Sequence, residues 1–224
     1  HGVARYKACA TSAMREANNS KSLSKKIFKT CGINIDIING EEEAAIIAAT
    51  DLNTFIDPNR TYLYVDVGGG STEFSIIHNG EKVKSKSFKI GTVRLLNDMV
   101  KNEIWIELER WVKENTKQYY KIELIGSGGN INKIFKISGK DPSKSLTYFY
   151  LASYYKMLQD FSFEERITKL NLNEDRADVI IPATRVYLSA MKWSGAKDIY
   201  VPKIGLSDGI IKSMYYETVS SIVV

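Results

Sequence analysis

Histidine and cysteine are scarce in this chain, with two of each among 224 residues. His1 and His78 leave a histidine-rich metal site or a dispersed Ser-His-Asp triad poorly supported. Cys9 and Cys31 are too few for a disulfide framework and are expected to be reduced, buried small residues; nothing points to an oxidising compartment, and the cytoplasm is expected. Proline is rare at four residues, no low-complexity linker occurs, and no repeat of roughly 20–50 residues is found, which argues against solenoids. No apolar run approaches the ~18 residues of a membrane span, so no membrane partner is expected. The net charge of +5 allows an anionic partner, but Lys and Arg are scattered and form no basic arm, so no nucleic-acid partner is expected.

What the chain does have is glycine in one unusual place. In Tyr62-Leu63-Tyr64-Val65-Asp66-Val67-Gly68-Gly69-Gly70-Ser71-Thr72-Glu73-Phe74 an apolar run ends in an acid, and three glycines, two hydroxyls and a second acid follow. Glycines let backbone N–H groups approach an anion closely. Ser71 and Thr72 add hydroxyl donors. Asp66 and Glu73 flank the loop, where a cation or an attacking water would be needed. Such a loop suits a phosphorylated substrate.

The flanking pattern places the loop. Ser20 to Cys31 reads as a helix with Leu23, Ile27, Phe28 and Cys31 on one face and Gly32 as its stop. Ile33 to Ile38 alternates like a strand, and Gly40 to Ala49 reads as a helix with Glu41, Glu42 and Glu43 in its first turn. Tyr62–Val67, Thr72–His78 and Lys82–Phe88 form an antiparallel meander, its second turn at Asn79-Gly80. It is not a Walker P-loop, whose helix and lysine are missing. A strand from Lys121 to Ile125 delivers a second glycine loop, Gly126-Ser127-Gly128-Gly129, that opens a helix and forms a second candidate anion site. Leu146 to Trp193 reads as almost wholly helical, with Asn171 or Asn173 capping the longest helix. Asp198–Val201 is a short strand and Leu206–Thr218 a last helix.

Four blocks now stand in order: Ala10-Thr11-Ser12-Ala13-Met14-Arg15-Glu16-Ala17-Asn18, Asn39-Gly40-Glu41-Glu42-Glu43-Ala44, Asp66 to Glu73, and Ile125-Gly126-Ser127-Gly128-Gly129. Together they resemble the exopolyphosphatase/guanosine pentaphosphate phosphohydrolase family, over most of the chain. Arg176-Ala177-Asp178 and Leu206-Ser207-Asp208-Gly209 fit the same pattern. The resemblance implies an α/β fold of ribonuclease H-like lobes, as in the actin-like ATPase and sugar kinase superfamily. Residues 1–50 would be the end of an incomplete first lobe and 51–205 a second lobe with a mixed sheet and several helices. Residues 206–224 would be a C-terminal helix that packs back on the first lobe. It also implies hydrolysis of terminal phosphate from polyphosphate or guanosine pentaphosphate, Mg²⁺ as cofactor, and a homodimer, since family members are often dimers. By the family's motifs the catalytic acid carries over to Glu43, with Glu73 and Asp66 closing and opening the glycine loop. The family's upstream loop of the type Asp-x-Gly-Ser-Asn-Ser has no counterpart here, and the expectation is a chain lacking its N-terminal segment.

The expected chemistry is therefore specific. Glu43 orients and deprotonates water, Asp66 is a Mg²⁺ ligand through water, and Glu73 orders metal or water. Gly68, Gly69, Gly70, Ser71, Thr72, Gly126, Ser127, Gly128 and Gly129 donate to phosphate oxygens. Arg15 and Arg94 offer guanidinium forks to phosphate. The plain alternatives are a solvated first-turn acid for Glu43, a loop-capping carboxylate for Asp66, and exposed helix arginines. The tyrosine cluster around Tyr148–Tyr155, with Trp105 and Trp111, reads as core packing. A phosphate- or nucleotide-sensing module without turnover, and a kinase or ATPase of the same superfamily, are the competing functions.

Overall fold

The computed structural model describes residues 2–48 and 57–222. Near the start, β1 (Ala8–Ala10) and β2 (Ile35–Ile37) pair in parallel. A parallel pair needs a crossover, supplied by α1 (Ser12–Glu16) and α2 (Ser20–Cys31). Gly32 ends α2 in the left-handed region at φ +69°, where its N–H reaches the Phe28 carbonyl at 2.8 Å. The burial expected of the two cysteines fails here. Helix α2 buries none of its residues, with Leu23 and Phe28 exposed, and Cys31 is exposed while Cys9 is only half-buried. A two-stranded sheet is too narrow to cover a twelve-residue helix.

A six-stranded mixed sheet dominates the rest. The meander consists of β3 (Thr61–Val67), β4 (Thr72–His78) and β5 (Glu81–Phe88). Asn79 and Gly80 both take positive φ, +52° and +78°, which matches the right-handed twist of a hairpin. On its other edge β3 pairs in parallel with β6 (Ile122–Ser127), and β8 (Asp198–Tyr200) and β7 (Leu146–Thr147) complete the sheet. Strands β3 and β6 are almost continuously buried because both of their faces are covered. One face packs on α5 (Asn102–Thr116), through Leu108 and Val112, and on α10 (Ile180–Ser194), through Ala183, Val186 and Tyr187. Trp105 and Trp111 pack against this core, as expected. The other face holds Tyr62, Tyr64, Ile77 and Ile125 under Ile204 and Leu206. On this side α3 (Gly40–Ala48) packs on β4, β5 and α11 (Leu206–Ile222), with Gly209 against the Ile46 carbonyl.

Between β7 and β8 the chain is almost wholly helical, as expected, forming α7 (Tyr148–Asp160), α8 (Phe163–Leu170), α9 (Glu174–Ala177) and α10. The opening two residues are a strand because Leu146 pairs with Ile199. Neither asparagine caps the longest helix. Asn171 ends α8 at φ +49°, a conformation asparagine tolerates, and Asn173 caps only the four-residue α9. Within the tyrosine cluster Tyr154 is buried, but Phe149 is 80 % exposed, because it lies on the outer face of α7. The proposed boundary near residue 50 lies outside the described residues. No helix among them is long and apolar enough to cross a membrane.

Candidate active site

The first glycine loop is a tight turn clamped from behind. The Gly68 N–H donates to the Ser71 carbonyl at 3.0 Å. The loop's own carbonyls are claimed by α4 (Thr92–Leu96): Thr92 N–H reaches Gly68 at 3.0 Å, Val93 N–H reaches Gly69 at 2.9 Å, and Arg94 Nε reaches Gly70 at 2.7 Å. Gly91 precedes that helix, and any Cβ on it would fall on the Gly69–Gly70 peptide, so only glycine fits. Gly68 and Gly69 form the exposed crest. The two hydroxyls have internal partners: Ser71 Oγ donates to Glu73 Oε1 at 2.7 Å, and Thr72 Oγ1 donates to the Ile90 carbonyl. The protein thus already engages both groups that the sequence offers to phosphate.

Strand register then gathers the acids. Asp66 sits opposite Glu73 across β3 and β4 and opposite Ser127 across β3 and β6. Like charges at cross-strand positions repel. Burial first, and the Glu73 charge second, push the Asp66 carboxyl up to about 7 against the pull of a Ser127 hydrogen bond. Glu73 is 3 % exposed, and burial raises it as well, countered by hydrogen bonds from Ser71 and Ser87. Ser87 Oγ donates to Glu73 Oε1 at 2.9 Å from the facing position on β5.

Glu43 arrives from the helix side. Asn39 Oδ1 caps α3 by accepting from the Glu41 and Glu42 N–H groups, each at 2.9 Å, and Glu42 Oε2 accepts from the Asn39 N–H at 2.8 Å. This reciprocal cap employs Glu42 and leaves the next position, Glu43, turned inward. Glu41 and Glu42 are exposed. Glu43 Oε2 is buried with no hydrogen-bond partner among the described residues, 3.8 Å from Arg15 Nη1. Burial, then Glu73, then Asp66 push its carboxyl up to about 7, and Arg15 opposes them.

The second glycine loop lies against the first. Gly128 is the N-cap of α6 (Gly129–Ile137) at φ +114°. A Cβ there would stand 2.9 Å from the Val67 carbonyl, 3.3 Å from Tyr187 Oη and 3.4 Å from Asp66 Oδ1. Tyr187 Oη donates to the Ser127 carbonyl, and Arg176 Nη1 donates to the Gly129 carbonyl. Gly126 and Ser127 are buried inside β6, and Ile199 Cδ1 would lie 2.7 Å from a Cβ on Gly126. Gly126 therefore serves packing here, while Gly128 and Gly129 form the loop's accessible part.

The two arginines have protein partners. Arg15 Nη1 donates to the Ile38 carbonyl at 2.6 Å, and Arg94 pairs with Glu16 as well as Gly70. Sequence reading assigned no role to Ser12, Glu16, Ser87, Arg176 or Tyr187. Most owe their place to tertiary register and left no local signal, but the Asn39–Glu42 cap was readable as a motif.

Among the described residues no three acidic, histidine or cysteine side chains converge as a ready ligand cluster. The donor set nevertheless fits a hard cation held largely through water. Asp66 and Glu73 face one another, and Glu43 Oε2 is a buried acceptor without a donor among the described residues.

Known proteins resemble this chain in sequence and in fold. The chain is 29 % identical over 212 residues to the bifunctional 3-dehydroquinate synthase/phosphatase of Fusobacterium nucleatum, spanning 86 % of this chain and 32 % of that protein. It is 24 % identical over 216 residues to the guanosine-5'-triphosphate,3'-diphosphate pyrophosphatase of Pseudoalteromonas translucida, covering 91 % and 42 %. The chain thus spans less than half the length of these two relatives. An exopolyphosphatase structure from Cytophaga hutchinsonii superposes with a TM-score of 0.76 over 93 % of this chain and 74 % of that one. At 23 % identity that likeness is one of fold. The profile of the Ppx/GppA phosphatase family matches residues 1–217, both glycine loops and the capped Glu43 helix included, and the chain belongs to that family.

Proposed function

We propose that this chain carries the site of a phosphoanhydride hydrolase that releases terminal phosphate from polyphosphate, guanosine pentaphosphate or both. The observation that carries the reading is Glu43 Oε2: a buried acceptor with no hydrogen-bond partner among the described residues, on a carboxyl that burial and the charges of Glu73 and Asp66 push up to about 7. A base is most useful when its pKa lies near the working pH. The names of the relatives above supply the two substrate classes.

In this mechanism a water hydrogen-bonded to Glu43 attacks the terminal phosphorus. A new P–O bond forms, the bridging P–O bond breaks, and its electron pair stays on the shortened chain. Glu43 takes the water proton and later returns it to solvent. The crest of the first loop and the α6 N-terminus bind the phosphates, the latter with the helix dipole. Asp66 and Glu73 would hold Mg²⁺ through water, and the ion would supply charge neutralisation on the phosphoryl oxygens. Ser71 and Ser87 orient Glu73, and Arg15 limits the repulsion at Glu43.

The test is orthophosphate release from polyphosphate and from guanosine pentaphosphate with Mg²⁺, beside a binding assay, for the wild type and Glu43→Gln. Release that vanishes in the variant while binding persists supports the hydrolase. Wild-type binding without release would favour the sensing module.

A further inference from the structure

Arg94 is the best-placed cation beside the first glycine loop, yet a carboxylate of the same chain already occupies it. Its Nε is held by the Gly70 carbonyl at 2.7 Å, and its Nη2 pairs with Glu16 Oε2. The other Glu16 oxygen lies 3.5 Å from Lys89 Nζ. One glutamate therefore spans two cations at the edge of the loop. It does so from α1, whose first residue, Ser12, sits directly over Gly70. The Arg94 side chain is 19 % exposed, and that of Glu16 is 34 % exposed, so the pair is accessible from solvent.

Two oxygens bridging a guanidinium and an ammonium are what a phosphoryl group would also offer. From this geometry we infer that Glu16 is a built-in competitor for phosphate at Arg94 and Lys89 and a determinant of anion specificity. The inference rests on the anion-site reading above. A lone orthophosphate must trade places with the carboxylate, exchanging one pair of ionic contacts for another. A phosphate chain holds on elsewhere, at the loop crest and the α6 N-terminus, and depends less on that exchange. Glu16 thus weakens retention of the single-phosphate product relative to the polymer.

The experiment is calorimetric titration of the protein with orthophosphate and with tripolyphosphate, without divalent cation so that no turnover intervenes. Breaking two partly exposed ion pairs opposes binding by about 3- to 10-fold. Glu16→Gln should therefore bind orthophosphate about 3- to 10-fold tighter, with a smaller gain for tripolyphosphate. Glu107→Gln, which removes the same charge from the exposed Lys86 pair on α5, should change neither. The double variant Glu16→Gln/Arg94→Met should lose the gain. If Glu16→Gln melts below the titration temperature, Glu16→Ala is read the same way. Equal orthophosphate affinity in the wild type and a folded Glu16 variant overturns the inference while leaving the site intact. If the wild type binds neither anion, the anion-site reading fails and the inference falls with it.

Discussion

The two ends of β3 and β6 bury carboxylates in opposite company. At one end Glu123 is 4 % exposed, and both of its oxygens accept from Arg60 Nη1 at 2.9 and 3.0 Å, with Lys121 Nζ at 3.2 Å. That end also borders a cavity of about 450 Å³ lined by His78 and Tyr119. At the other end Glu73 is 3 % exposed and Asp66 faces it, yet their hydrogen-bond donors are serines. Arg15, the cation nearest the acids, stands 3.8 Å from Glu43 and is shared with a backbone carbonyl. Depth of burial is the same, and what differs is the supply of positive charge. A buried charge must be paired or shift its pKa. One end has paired it, and the other has gathered acids that only a cation and a proton-bearing substrate water would satisfy.

The sharpest way to break this contrast is to neutralise the poised acid. Glu43→Gln should lower turnover by about 10²- to 10⁴-fold with substrate affinity kept, measured by orthophosphate release and calorimetry. Near-normal turnover would return Glu43 to the role of a helix-dipole acid.

Stability should also depend on pH in a direction set by the unpaired end. The Asp66 carboxyl ionises at about 7 when folded against an ordinary 3.8, so between those values the folded chain holds a proton that the unfolded chain has released. Stability therefore falls as pH rises from about 4 to 7 and levels off above, by on the order of a few kcal/mol. Glu43, at about 7 against 4.5, adds to the same slope. Thermal melts across this range without divalent cation should show it, Asp66→Asn should flatten it, and Mg²⁺ should restore stability at the alkaline side. A flat profile in the wild type would mean the acids are compensated after all.

Removing charge at the two ends should then change stability with opposite signs. Glu123→Gln leaves Arg60 and Lys121 without their shared partner and should lower the melting temperature. Glu43→Gln removes a charge that Arg15 compensates only in part and should raise the melting temperature above pH 7, a gain in stability on the order of 1 kcal/mol. The smallest of these effects is one of affinity. Gly128→Val, forced into φ +114° beside the Val67 carbonyl, should raise the half-saturating substrate concentration while α6 keeps its far turns. Unchanged saturation would remove the second loop from the site.

Much of this could be read from residues alone, for definite reasons. The meander was legible because its alternation and the Asn79-Gly80 turn are local signals. The placement of Glu43, Asp66 and Glu73 came from the family's motifs. Their proximity could not be read, since it depends on β3–β4 register and on α3 docking against β5 through Gly40, where an added Cβ would stand 3.0 Å from Ser87 Cβ. The hydroxyls' internal partners were hidden for the same reason. Ser71 and Thr72 look like phosphate donors in text, but folding gives their protons to Glu73 and Ile90. The helical character after Leu146 was legible, but the cap of its longest helix was misplaced, because Asn171 can start or end a helix and its conformation decides which.

The central claim is that Glu43 is a carboxyl held near neutrality by burial and by its acidic neighbours. A carbon-13 titration of the glutamate carboxyl signals, with Glu43 assigned by its loss in Glu43→Gln, measures this directly in cation-free protein. The account predicts a Glu43 midpoint at about 7. A midpoint at the ordinary 4.5 would contradict it.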